Sequence, residues 1–283
     1  MKKKIIAIIV LGILVTTALL IPTETYKKWF GKVPVEKEEE WLYHQVVYLK
    51  NKEGYLVGLK VPVLAIEEDQ IQQKWDLLTK KVSLIPLGYT STINLSTELI
   101  EYEIQNNKLI LNVSDDFLLS EGRTTIETLA WTFIDDEITE IVILVEGKII
   151  NNLGDYHFKK VSKQSGINLK YETMFLYEST PTTLVLHYED YTLPITYFHL
   201  ETDICEFIIG RIIFPEVNDI SVNAYNYVLT SEALVINLLT TSALDTLLIA
   251  SITDTIQTNL NINSLTINGS ENLIHEVIFK TIE

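Results

Sequence analysis

Hydrophobic and polar positions along the chain fall into one uncharged run at the start and then a series of short elements that occurs twice. The uncharged run extends from Ile5 to Ile21, directly after Lys2, Lys3 and Lys4. Seventeen residues of helix span about 25 Å, close to the hydrocarbon thickness of a bilayer. The run has no polar face, so it does not read as a core helix. It is longer than the usual apolar region of a cleaved signal peptide, and Thr16-Thr17-Ala18-Leu19-Leu20 offers no small-x-small cleavage site. An uncleaved signal anchor over residues 1–22 is therefore expected in preference to a cleaved peptide. The lysines would stay on the cytoplasmic side and the body would lie outside the membrane. Residues 23–40 carry Pro34 and the run Glu36-Lys37-Glu38-Glu39-Glu40 without a sustained period, which predicts a charged linker.

From about Trp41 the series begins. Val46–Leu49 and Tyr55–Val57 read as strands, followed by a hydrophobic-proline-hydrophobic step at Val61-Pro62-Val63. A helix is predicted over about 67–81, with Ile71, Trp75 and Leu78 on one face, Glu67, Glu68 and Asp69 in its first turn, and Lys80 and Lys81 in its last. Pro86 follows. A hairpin is predicted from Glu101–Ile104 through Gln105-Asn106-Asn107 to Lys108–Val113, then a helix over Thr124–Asp135 and a strand over Glu140–Val145 ending at Gly147.

The second half repeats this order. Met174–Tyr177 and Thr183–Val185 read as strands, followed by Leu193-Pro194-Ile195, a helix over Glu201–Ile212 and Pro215. A hairpin turns at Thr230-Ser231-Glu232, a helix covers Leu244–Thr258, and a strand over Ser264–Asn268 ends at Gly269. Matched pairs keep their order: Tyr48 with Phe175, Pro62 with Pro194, Pro86 with Pro215, Asn112 with Asn237, Gly147 with Gly269. This predicts a duplication. The expected domains are residues 41–153 and 170–283, joined by a connection over 154–169. Each would be a β-β-α-β-β-α-β unit with a mixed sheet and two helices, an α+β fold.

Composition narrows the function. The chain has 283 residues, 47% of them hydrophobic, which suits a folded body of two ordinary domains. Its formal net charge of −16 repels phosphate, which argues against a nucleic-acid partner. The single cysteine, Cys205, allows no internal disulfide and sits in an apolar run, so it reads as a small buried hydrophobe. An exported body without disulfides fits a bacterial envelope.

Several of these elements together resemble the GerMN domain family of sporulation and germination proteins. The resemblance rests on Val61-Pro62-Val63 after the opening hairpin, on Ile71–Leu78 before Pro86, and on Leu109-Ile110-Leu111-Asn112-Val113-Ser114-Asp115-Asp116-Phe117. It also rests on Thr124–Asp135 followed by Glu140–Lys148, with the ending Val145-Glu146-Gly147-Lys148. The second copy departs from it, with Thr240-Thr241-Ser242 in place of Ser114-Asp115-Asp116 and Asn268-Gly269-Ser270 in place of Glu146-Gly147-Lys148. The resemblance implies two tandem GerMN-like domains, the second divergent, similar to ring-building modules. It implies an extracytoplasmic envelope protein of sporulation or germination complexes. Family members are often lipoproteins, but no cysteine follows the apolar run here, so the helix itself would be the anchor.

No catalytic constellation stands out. Motifs for a nucleophile elbow, a zincin helix, a phosphate loop or a paired-cysteine site are absent. His44, His157, His187, His199 and His275 lack metal-ligand spacing. Asp115-Asp116 and Asp135-Asp136-Glu137 read as turn residues, and the second half repeats neither cluster. Tyr171, Tyr177, Tyr188, Tyr191, Tyr197, Tyr225 and Tyr227 form strand-rich aromatic stretches. Strand packing is their ordinary use, and a glycan or partner surface is the alternative. No catalytic, metal or cofactor residue is expected, and the binding residues stay unassigned. The leading expectation is a non-enzymatic scaffold whose partners are other extracytoplasmic envelope proteins, held to the membrane through residues 5–21. The alternative is a module that binds cell-wall glycan or peptide.

Overall fold

The computed structural model describes residues 43–63, 69–213, 222–240, 244–269 and 273–279. The expected anchor over 1–22, the linker over 23–40, Glu67, Glu68 and Pro215 lie outside them. No helix among the described residues is long and apolar enough to cross a membrane.

The first half runs β1 (Tyr43–Lys50), β2 (Leu56–Val63), α1 (Gln70–Thr79), β3 (Leu99–Gln105), β4 (Lys108–Val113), α2 (Gly122–Phe133), β5 (Glu140–Val145) and β6 (Lys148–Ile149). Short strands β7 (Asn152–Leu153), β8 (Tyr156–His157) and β9 (Lys170–Tyr171) follow. The second half runs β10 (Thr180–His187), β11 (Tyr191–His199), α3 (Ile204–Ile213), β12 (Val222–Leu229), β13 (Ala233–Thr240), α4 (Thr246–Asn259), β14 (Ser264–Asn268) and β15 (Leu273–Ile278). The order β-β-α-β-β-α-β thus occurs twice, each time with one further antiparallel strand at the end.

Each half builds a four-stranded mixed sheet, in the order β3-β4-β5-β6 and β12-β13-β14-β15. In both, the central pair is parallel and the flanking pairs are antiparallel. Both carry a bulge near the start of the edge strand, between Leu99 and Glu101 and between Val222 and Ala224. The matched asparagines occupy one position: Asn112 lies opposite Glu101 and Asn237 opposite Asn226. Each ties its strand to both neighbours. Asn112 donates to Glu101 at 3.1 Å and accepts from the Gly147 N–H at 2.8 Å. Asn237 donates to Asn226 at 2.7 Å and accepts from Asn268 at 2.9 Å. The first hairpin turns through Asn106 and Asn107, both with positive φ, 50° and 62°, the left-handed pair that a two-residue hairpin requires.

The opening hairpins do not join these mixed sheets. They meet each other in a central sheet of order β1-β2-β11-β10, with β9 also against β11. Met174–Tyr177 is not the opening strand of the second half; it is an exposed turn, because the Thr173 hydroxyl accepts from the Phe175 N–H and the Phe175 carbonyl from the Glu178 N–H. Phe175 therefore does not match Tyr48. Nor is Val61-Pro62-Val63 a separate step; it ends β2. The proline is tolerated there because β11 begins at Tyr191, opposite Leu59, so Lys60–Val63 overhang the seam and need no N–H on that side.

Alternation along β10 divides two cores. Leu184 packs into the second core, with Ile208, Ile236, Ile252 and Leu265, whereas Val185 packs into the first, with Trp75, Leu111, Leu129 and Phe133. Helix α2 is buried at every residue from Thr125 to Phe133, so its periodicity marks only part of the surface it covers. Asp69 caps α1 by accepting from the Gln72 N–H at 2.8 Å, and Asp245 caps α4 by accepting from Leu247 at 3.0 Å.

Candidate functional site

The central sheet is where the two halves meet, and its polar chemistry is arranged around three features: the seam, the outer edges and an aromatic-cation ladder.

At the seam, β2 and β11 pair only through Tyr191 with Leu59 and Thr192 with Gly58. Beyond this the strands part, and Asn168 fills the gap. Its side chain accepts from the Leu56 N–H at 2.8 Å and donates to the carbonyls of Leu56 and Pro194, each at 2.7 Å. Asn168 sits at φ 49°, a left-handed conformation that asparagine tolerates better than most residues. A Cβ at Gly58 would stand 3.0 Å from the Tyr48 ring and would press it aside by a few tenths of an ångström. Burial, and secondarily the charge of Asp254, pushes the Tyr48 phenol above its ordinary value.

His187 bonds Asp254 at 2.7 Å through Nε2 and stands 3.4 Å from the Thr192 hydroxyl through Nδ1. Hydroxyl, imidazole and carboxylate thus lie in the order of an activated nucleophile. The hydroxyl contact is longer than an ordinary hydrogen bond, and Thr192 is fixed in the strand ladder beside Gly58. The geometry is that of a brace between β10, β11 and α4.

The outer edge of β10 is closed by helix side chains, and the end of β1 by one helix hydroxyl and a backbone bridge. Ser251, Thr255 and Asn259 recur every four residues on α4. They accept from the N–H groups of His187, Val185 and Thr183, each at 2.8 Å. Asn259 also donates to the Thr183 carbonyl at 2.7 Å. On the opposite edge, Tyr48 N–H donates to the Thr132 hydroxyl of α2 at 3.0 Å, and Lys50 exchanges two 2.9 Å backbone bonds with Thr90. The N–H groups of Thr183, Val185, His187, Tyr48 and Lys50 are thereby withheld from pairing with another chain.

The ladder runs across the seam. Lys170 Nζ lies 6.0 Å from the Tyr55 ring centre and 5.6 Å from that of Tyr197. Arg211 lies 5.5 Å from Tyr197 and 5.3 Å from Phe207, and pairs with Glu172 at 2.7 Å. Phe207 stacks on His199 at 3.6 Å. His199 is 3% exposed, shares a 2.8 Å hydrogen bond with Thr182, and has its pKa lowered by burial.

Cys205 is buried in α3, and burial pushes its thiol up to about 11. Asp115 and Asp116 open a 3₁₀ turn after β4. Asp135 closes its own turn by accepting from the N–H groups of Glu137 and Ile138, each at 2.9 Å. Neither acidic pair meets a histidine. Tyr225 and Tyr227 donate to Glu206 at 2.7 Å and to Asp203 at 2.6 Å near the start of α3. The hydrogen bond and burial push Tyr227 upward; burial, then Glu206, pushes Tyr225 up to about 12. Tyr188 stacks on Tyr191 at 4.7 Å, Tyr171 stacks on Phe198 at 5.0 Å, and Tyr177 is fully exposed. Among the described residues, no group of three or more His, Cys, Asp or Glu is placed to hold a metal ion. The sequence places Ser251 on the inward face of its helix but assigns no role to Asn168, Thr255 or Asn259. The stripe did carry a signal, polar residues four apart on a helix otherwise apolar on that side.

Two halves of one topology, joined through their opening hairpins, define this chain as a tandem α/β protein with the GerMN-like fold. The comparison that carries this is with the tandem GerMN domains of the sporulation protein GerM from Bacillus subtilis. The likeness has a TM-score of 0.70 at 17% identity and covers 84% of this chain and 98% of that one. The first GerMN domain of the same protein, solved alone, matches 43% of this chain and 98% of its own length at 17% identity, with a TM-score of 0.39 that supports no argument. No family model matches the sequence, and no curated protein matches it.

Proposed function

We propose that this chain is a membrane-tethered, extracytoplasmic and non-enzymatic assembly component of a bacterial envelope, in a sporulation or germination complex. The observation that carries the reading is where the polar chemistry of the central sheet goes. Asn168 bonds Leu56 of the first half and Pro194 of the second and so ties the halves at the seam, while His187, Asp254 and the α4 stripe bond one another within the second half and hold its hairpin on its helix. That is the design of a rigid two-module spacer, in which outward surfaces do the binding. The fold shared with a sporulation protein and the uncharged run Ile5–Ile21 after three lysines support the compartment.

The test is to crosslink the full chain in its host's membranes and identify what is captured by mass spectrometry. Capture of single-span envelope proteins, lost when the seam is broken by Asn168→Ala, supports the reading. Recovery of cell-wall fragments without protein partners overturns it.

A second reading has its own observation. Tyr188 stacks on Tyr191 at 4.7 Å and is 42% exposed, an aromatic face of the kind that sugar rings pack on. A rise in thermal stability on adding muropeptides, abolished by Tyr188→Ala, would favour a glycan-binding module.

A further inference from the structure

We propose that the turn Met174–Tyr177 inserts into the interfacial zone of a lipid bilayer with neutral headgroups, the bilayer that holds the N-terminus; this rests on the membrane-tether reading above. Four large apolar side chains stand here in a row. Met174 is 94% exposed, Phe175 64%, Leu176 51%, and Tyr177 is fully exposed. Two more join them at the base. Tyr171 lies opposite Phe198 in the β9–β11 pair, and Leu200 directly follows His199, which lies opposite Thr180. Tyr171 and Leu200 are 55% and 50% exposed. Monomeric proteins seldom leave so many neighbouring apolar side chains in water without a use for them.

The turn is held in shape from both ends. Thr173 Oγ1 accepts from the Phe175 N–H at 3.0 Å, and the Ser179 hydroxyl donates to the Leu176 carbonyl at 2.9 Å. The backbone is thus ordered before any contact forms, so binding bears less of that entropy. Tyr177 adds the amphipathic ring that favours the boundary between headgroups and acyl chains.

Charge selects the kind of surface. No lysine or arginine lies within residues 171–180, and Glu172 is paired with Arg211. Glu178 is the one other carboxylate of the turn. Attachment would therefore be apolar, and a chain of net charge −16 would avoid anionic headgroups. One apolar turn binds a membrane weakly by itself. Residues 22–42 between the uncharged run and β1 reach at most about 70 Å when extended. A tether of that length holds the turn at high effective concentration near the bilayer, which makes weak insertion sufficient.

The test uses the full chain with Tyr177→Cys carrying an environment-sensitive nitrobenzoxadiazole probe, reconstituted into phosphatidylcholine vesicles. Cys205 is buried and stays unlabelled in the folded protein. Flotation reads the tether, and doxyl-lipid quenching reads the turn. The expected result is co-flotation with blue-shifted emission and loss of most intensity with doxyl lipid; the added pair Phe175→Ser and Leu176→Ser reverses the blue shift and the quenching and leaves flotation unchanged. Co-flotation with an unquenched, water-exposed probe overturns insertion alone. Loss of flotation overturns the tether and this inference with it. A blue shift that vanishes on diluting the chain among vesicles, without lipid quenching, assigns the turn to a second copy and overturns the inference.

Discussion

Asn168 holds both backbone groups of Leu56, accepting from its N–H at 2.8 Å and donating to its carbonyl at 2.7 Å. One side chain thus continues the ladder between β2 and β11 where the strands no longer meet. Replacing it by alanine removes three hydrogen bonds, each with a net worth of about 1 kcal/mol. It also leaves a non-glycine residue at φ 49°. Asn168→Ala is expected to cost about 3 kcal/mol in urea unfolding. Asn168→Gly, which tolerates the backbone angle, should cost less. Because the bracket spans the two halves, the alanine variant should unfold in two transitions where the parent shows one. A single unshifted transition would refute the assignment.

The stripe on α4 makes a separate prediction. Thr255→Val keeps the shape of the side chain and removes the acceptor for the Val185 N–H, a fully buried partner pair. An unsatisfied buried donor costs about 1–3 kcal/mol, so the urea midpoint should fall accordingly. Combining it with Ser251→Ala and Asn259→Ala strips the edge strand of its cover. The triple variant should self-associate, which light scattering after size exclusion would detect. A monomeric triple variant would show that α4 does not protect this edge.

How much of this was legible beforehand depends on sequence separation. The duplicated order of elements was visible because strands and helices announce themselves through local periods of two and 3.6 residues. Asn112 and Asn237 could be matched because each sits at one register position in a strand of like pattern. The run Met174–Tyr177 misled, since an apolar stretch carries no mark of whether a sheet or the solvent lies beside it. The exchange of hairpins into one central sheet was out of reach. Its seam rests on two residue pairs 132 to 134 positions apart, Tyr191 with Leu59 and Thr192 with Gly58. The brace of His187 and Asp254 is likewise 67 residues apart in the chain. Asn168 lies in the connection expected over 154–169, where no local period marks a residue for a role.

His199 should make stability depend on pH. It lies stacked on Phe207, and burial holds its pKa below the ordinary 6.5, outweighing the upward pull of Glu172 and Glu201. The unfolded chain therefore binds a proton at a pH where the folded chain does not. This contribution is complete above pH 6.5 and is lost as pH falls from there toward the lower folded value. His199→Phe preserves the stacking and removes the titration, at the cost of the Thr182 hydrogen bond. The variant should show a smaller drop in urea midpoint between pH 7.5 and pH 5.5 than the parent. An equal drop in both would assign the pH dependence to other groups.

Cys205 offers the last check, on the packing of the second half. Cys205 is 1% exposed within α3, and burial raises its thiol pKa to about 11, with a smaller push from Asp203. Both effects suppress the thiolate, the species that reacts with disulfide reagents. In the folded protein at pH 8, Ellman's reagent should therefore modify less than one thiol per hundred in the time that free cysteine reacts fully, about a hundredfold slowing on the scale of two pKa steps. The rate should rise only through opening of the second core, in step with the urea transition. The Asn168→Ala variant sharpens the test, because it loosens the seam and not α3. If the halves unfold independently, Cys205 should become reactive in only one of the two transitions of that variant. Rapid labelling in the absence of urea would mean that α3 opens locally and that the second core is less tightly closed than its packing implies.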